Sequence, residues 1–147
     1  MTANPTAYRD AETTNNSERS GQIFKDINLS FAKHPTTGDI AFLTDVEAVK
    51  RSIRNLVNTN FYEKPFHPEI GSNVRSILFE PVSPLVADVL ERNVRDVINN
   101  FEPRAELIEV LSDAQIDNNR YDVTIKFYLV NSASGVQSVN LFLERLR

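Results

Sequence analysis

Asn100-Phe101-Glu102-Pro103-Arg104 is the stretch on which the fold turns, because a long amphipathic helical pattern precedes it and three β-rich segments follow. Pro103 fixes its own φ, lacks an amide hydrogen, and biases Glu102 away from helical backbone. The preceding helix is therefore expected to end at about Phe101. In an extended continuation Glu102 and Arg104 project together, while Phe101, Pro103 and Ala105 take the other side, giving a charged two-prong plug. Arg104 suits the partial negative charge of a helix C-terminus, whereas Glu102 is repelled by it, by roughly 0.3–1 kcal/mol when exposed. Glu102 thus calls for a donor, either Arg104 itself or a group on another molecule, and recognition is the preferred reading. An exposed site adds little to monomer stability, so Arg104→Ala is expected to leave the fold largely intact and to weaken assembly.

Upstream of the plug, Ser83-Pro84 has the form of an N-cap followed by a first helical residue. The helix predicted from about Pro84 to Asn100 carries Leu85, Val86, Val89, Leu90, Val94, Val97 and Ile98 on one broad stripe. Downstream, Leu107–Leu111, Tyr121–Val130 and Val136–Leu143 are rich in β-branched and aromatic residues and are separated by polar turns, which predicts an antiparallel meander. In the last segment Val139, Leu141 and Leu143 alternate with polar residues, but Phe142 falls on the polar face. That exception points either to a face or edge covered by something else or to a partly exposed core residue.

Further back, Thr44-Asp45-Val46-Glu47 has capping-box spacing and opens a helix predicted over Asp45 to Asn58, with Glu47 and Arg51 paired four apart. Residues 61–72 hold two prolines and a glycine and read as an irregular loop pinned by its aromatics. Ser72 is placed to cap a short helix containing Val74, Ile77, Leu78 and Phe79, which Pro81 stops. Ile27, Leu29 and Phe31 alternate with polar residues as a half-buried strand does, and His34 to Asp39 turns the chain. Met1 to Gln22 is polar and reads as a flexible arm. The economical architecture is α+β: two main helices and a short helix packed on a small antiparallel sheet of about four strands, forming one domain over residues 23–147.

Composition removes most chemistry. The chain has 147 residues, a net charge of -4 and scattered Lys and Arg, which argues against a nucleic-acid binder. It has no cysteine, its two histidines (His34 and His67) lack metal-binding spacing, and its four glycines form no phosphate-binding loop. No metal, cofactor or catalytic residue is therefore expected. No apolar run approaches the ~20 residues that span a bilayer, and no signal-peptide pattern opens the chain, so no membrane partner is expected and the chain reads as unexported. The surviving alternative is a muralytic, lysozyme-like glycosidase, using carboxylates among Glu63, Glu69, Glu80 and Glu102 with Phe61, Tyr62 and Phe66 as sugar platforms.

The blocks Glu63-Lys64-Pro65-Phe66-His67-Pro68-Glu69-Ile70-Gly71-Ser72, Leu78-Phe79-Glu80-Pro81 and Phe101-Glu102-Pro103-Arg104, followed by strands, resemble the baseplate wedge and sheath-initiator family of contractile tails. That family has phage members and relatives in type VI secretion baseplates, and some members have carried a lysozyme label. The likeness runs from about Lys25 to Leu143. It implies a virion structural protein of the tail baseplate, present in multiple copies, assembled in the host cytoplasm, and not an enzyme. It also implies that Glu102, Pro103 and Arg104, with Phe101, dock onto the helical core of the wedge. The terminal strand residues Val136, Val139, Leu141, Phe142 and Leu143 would serve as a template for the tail sheath protein by strand addition. This chain departs from the pattern at Asn100, at Phe101 where relatives often have Trp, and at Lys64 where they often have Arg.

Overall fold

Ser83 and Pro84 begin the longest helix as their sequence requires: the Ser83 hydroxyl accepts from the Val86 amide at 3.3 Å, and Pro84 takes the first helical position. The computed structural model describes residues 24–132 and 134–146, so the polar arm expected at Met1–Gln22 lies outside the described residues. In chain order the elements are β1 (Lys25–Ile27), β2 (Phe42–Thr44), α1 (Asp45–Asn58), α2 (Val74–Ile77), α3 (Pro84–Phe101), β3 (Ala105–Gln115), β4 (Arg120–Leu129) and β5 (Gln137–Glu144). The fold is α+β, with a two-stranded antiparallel sheet of β1 and β2 and a three-stranded antiparallel sheet in the order β3-β4-β5. The single sheet of about four strands is thus corrected to two small sheets.

The core lies between the helices and one face of the larger sheet. Strand β4 supplies Tyr121, Val123, Ile125, Phe127 and Leu129 to it, all buried, at the alternate positions that a one-sided sheet demands. Val139, Leu141 and Leu143 of β5 add a second row, and Ala48, Val49, Ile53 and Val57 of α1 with Ala87, Leu90, Val94, Val97 and Ile98 of α3 close the other side. Leu85 and Val89 are exposed, so the apolar stripe of α3 is narrower than its sequence suggests. Tyr121 is buried whole, and its hydroxyl accepts from the Ser83 amide at 3.2 Å, tying the start of α3 to the sheet.

Several local expectations change. The first strand ends at Ile27, because Asn28 folds back on itself: its side chain accepts from the Ser30 amide at 3.0 Å, and its carbonyl from Phe31 at 2.9 Å. Leu29 and Phe31 are therefore exposed, and β1 pairs with the unforeseen β2. Thr44 stands at the N-cap of α1 without a side-chain hydrogen bond, so the capping box is not formed; Asp45 instead accepts from the Phe24 amide at 3.1 Å. Glu47 pairs with Lys50, not Arg51, which reaches the Asn28 side chain at 3.3 Å. At α2 the cap position falls to Asn73, but buried Ser72 still serves the helix start: its hydroxyl accepts from the Val74 amide at 3.4 Å while donating to the Val57 carbonyl at 2.6 Å. Phe79 lies beyond the short helix and is exposed.

The loop between α1 and α2 is held by its backbone and not by its aromatics. Asn60 and Ser72 form a parallel bridge, the Tyr62 amide donates to the Pro68 carbonyl at 2.9 Å, and Glu63 accepts from the Asn60 amide at 2.8 Å. Tyr62 and Phe66 sit at φ 66° and 67°, a left-handed conformation that costs a bulky side chain on the order of 1–3 kcal/mol. Gly71 allows the closure: a Cβ there would come within 2.6 Å of the Asn60 carbonyl. Gly71→Ala should therefore cost about 1–3 kcal/mol and lower the thermal unfolding midpoint. An unchanged midpoint in differential scanning calorimetry would show that the loop does not depend on this contact.

Candidate functional site

The end of α3 is set by Pro103, and the junction that follows is a turn, not the extended segment expected. Glu102 closes the helix by donating its amide to the Ile98 carbonyl at 2.9 Å, and Ala105 donates to the Glu102 carbonyl at 3.2 Å. Pro103 rides on the outside of this turn, exposed, while Phe101 is half-buried and Ala105 is in the core. The turn brings the Arg104 side chain back over Glu102, as sharing one side of a strand would also have done.

Glu102 is not an exposed prong: it is only 3% exposed. Arg104 meets it in a bidentate pair, Nε to Oε1 at 2.7 Å and Nη2 to Oε2 at 3.0 Å, and itself remains 24% exposed. Ser52 of α1 adds a hydrogen bond to the same carboxylate. The third guanidinium nitrogen, Nη1, donates to both carboxylate oxygens of Asp26 on β1, each at 3.0 Å, and the Phe24 ring lies 5.7 Å from the guanidinium carbon. Arg104 thus joins β1 to the α3-to-β3 junction, and Glu102 brings Ser52 of α1 into the same cluster. Because Asp26 and Glu102 share one guanidinium, the cluster keeps one negative charge, and Asp26, 36% exposed, carries it towards solvent.

Burial pushes the Glu102 carboxyl up, but hydrogen bonds from Arg104 and Ser52 and the Arg104 charge outweigh it and hold the carboxyl below the ordinary range. Arg104 is raised by the Glu102 hydrogen bond, against burial, with Asp26 adding to the rise. Both groups stay ionised at neutral pH. Asp26, Ser52 and Phe24 were not foreseen as parts of the site. Asp26 lies 78 residues from Arg104, and nothing local in the sequence joins them.

The other predicted surface is the terminal strand. Val139, Leu141 and Leu143 face the protein's own core, whereas Val136 and Phe142 are exposed. Phe142 is partly covered by Arg120, whose guanidinium lies 5.2 Å from the ring centroid. Among the described residues strand β5 pairs with β4 alone, which leaves its other edge without a strand partner; at the opposite side of the sheet, β3 is interrupted by a bulge between Leu107 and Glu109. Among the described residues no group of His, Asp or Glu is placed to hold a metal ion, and no helix is long and apolar enough to cross a membrane.

The most built polar feature of this α+β module is thus its salt-bridged junction. The chain is a member of the baseplate wedge protein gp25 family, whose model matches residues 44–134. It is 29% identical over 122 residues to the baseplate wedge protein gp25 of Enterobacteria phage T4, covering 83% of this chain and 92% of that one. A chain in the cryo-EM structure of the anti-feeding prophage baseplate superposes with a TM-score of 0.64 at 25% identity, over 76% of this chain and 90% of that chain. A Geobacter sulfurreducens protein whose name proposes a tail lysozyme superposes with a TM-score of 0.57 at 20% identity, over 67% of this chain and 90% of that one, and shares the fold alone. The protein is thus of the structural baseplate class, as the T4 homologue is. Glu102 also has the wrong environment for a glycosidase acid, which needs its carboxyl raised.

Two outcomes follow from the cluster. Arg104→Ala strands a buried carboxylate, so it should cost about 2–4 kcal/mol of stability, in contrast to the small effect expected for an exposed plug. Urea unfolding of the purified chain checks this, and a loss under 1 kcal/mol would contradict it. The second outcome concerns pH. Because the folded pKa of Glu102 lies below its unfolded value near 4.5, its contribution is complete above that value and is lost as pH falls through the folded pKa. The stability difference between the wild type and Glu102→Gln should therefore shrink steadily as pH is lowered from about 4.5, and a difference independent of pH would contradict the assignment.

Proposed function

We propose that this protein docks to the baseplate wedge core through the Glu102-Pro103-Arg104 turn and templates the first sheath subunits through the open edge of β5. The observation that carries the docking half is the combination of an exposed Pro103 with a guanidinium fixed in place by a buried carboxylate. A preorganised surface loses little side-chain entropy when a partner covers it. Glu102 and Ser52 then orient Arg104, while Pro103, the open side of Arg104 and Asp26 meet the wedge. Phe101, half-buried, supports the turn from beneath.

The sheath half rests on the contrast between the two edges of the larger sheet. A bulge breaks the ladder along β3 and blunts that edge, whereas β5 presents its residues 137–144 without interruption. Added main-chain hydrogen bonds would give affinity there, and Val136 and Phe142 would give side-chain contacts. Val139, Leu141 and Leu143 act indirectly, by anchoring β5 to the core. Several copies, incorporated in the host cytoplasm, would present this edge around the baseplate.

Pro103→Glu tests the docking half: its side chain is exposed, and because Pro103 also ends α3, thermal unfolding is measured alongside and a modest fall in midpoint is expected. Incorporation of the folded variant into purified baseplates should fall by roughly tenfold or more; normal incorporation would refute the docking surface. The sheath half is read by hydrogen exchange on baseplates with and without sheath. Amides of residues 137–144 should gain protection only when sheath is present, and equal exchange in both particles would exclude β5 as the template.

A further inference from the structure

The loop between α1 and α2 displays what most loops hide. Phe66 is 97% exposed and Tyr62 86% exposed, yet both are held in left-handed backbone by a closed set of main-chain hydrogen bonds. Strained, over-determined backbone of this kind is associated with binding surfaces, because it fixes the direction in which a side chain points. Beside the loop runs an open groove of about 380 Å³, walled by Phe61, Tyr62 and Phe79 and carrying Arg75, with Asn60 and Ser76 at its polar margin. Arg75 is exposed and forms no ion pair among the described residues, although the chain as a whole is acidic.

We infer that this groove is a second docking site, separate from the Glu102-Pro103-Arg104 turn, for an extended segment of a neighbouring protein that carries an acidic residue next to a bulky apolar one. Charge complementarity selects the acidic residue: its carboxylate would accept a bidentate hydrogen bond from Arg75, whose planar fork fits that group. The three aromatic walls select the apolar neighbour, since rigid rings supply contact area at small cost in side-chain entropy. Phe66, in the same loop, is almost wholly exposed. A basic segment is disfavoured by Arg75. The inference rests on the baseplate reading only in taking the neighbour to be another protein of the same particle.

The test places a photo-crosslinking phenylalanine analogue at Tyr62 in the full chain, purifies assembled particles, irradiates them and sequences the joined peptides. The expected product joins this chain to a segment with an Asp or Glu within two residues of a large apolar side chain, and its yield falls by roughly tenfold or more when Arg75→Glu is added. Arg75→Glu is at an exposed position, and an unchanged unfolding midpoint verifies that it folds. Particles that contain the chain but yield no such crosslink, a basic segment, or a product indifferent to Arg75→Glu would overturn the groove assignment while leaving the wedge-docking reading intact. Absence of the chain from all particles would overturn both.

Discussion

The buried Glu102 carboxylate is the constraint around which the rest of this structure is arranged. A carboxylate at that depth is tolerated only if its oxygens are filled, and the bidentate Arg104 pair with a hydrogen bond from Ser52 fills them. Pro103 makes the pairing possible by ending α3 and forcing the turn that returns Arg104 over its neighbour. The remaining guanidinium nitrogen then reaches Asp26 and draws the small β1–β2 sheet onto the body of the protein. Recognition and stability are therefore not competing explanations of the same three residues. The ion pair builds the surface that we propose a partner meets.

The same division appears elsewhere in the molecule. In β5 the inward side chains belong to the core, while among the described residues one main-chain edge has no strand partner and Phe142 faces outward. In the loop before α2, Gly71 and the backbone hydrogen bonds do the structural work, which leaves Tyr62 and Phe66 free to point into solvent. Each exposed feature is held by a buried or hydrogen-bonded one a few residues away. Such an arrangement suits a protein that must join several neighbours without rearranging.

Much of the fold was legible in the sequence because its signals were local. Helix α1 begins and ends where the periodicity places it, the Ser83-Pro84 start is as its chemistry requires, and the three-stranded meander follows from β-branched runs between polar turns. What escaped were features decided by distant partners. Asn28 broke the alternation of the first strand by binding its own neighbours, and β2 was too short to register as a strand until β1 paired with it. The junction was singled out correctly as unusual, but its depth was misjudged: burial of Glu102 depends on α1 and β1, which lie far away in sequence. Asp26 could not have been found from spacing, and it also falls outside the residues 44–134 that the family model matches.

A double-mutant cycle between Glu102 and Arg104 tests the central claim most directly. Stability would be measured by urea unfolding for the wild type, Glu102→Gln, Arg104→Met and the double variant. If the pair is the staple described, each single variant strands its partner and the double variant recovers part of the loss, giving a coupling energy of about 2 kcal/mol or more. A coupling near zero would contradict the account, because it would mean that Glu102 and Arg104 contribute to the fold independently and that the junction is held by something other than their pairing.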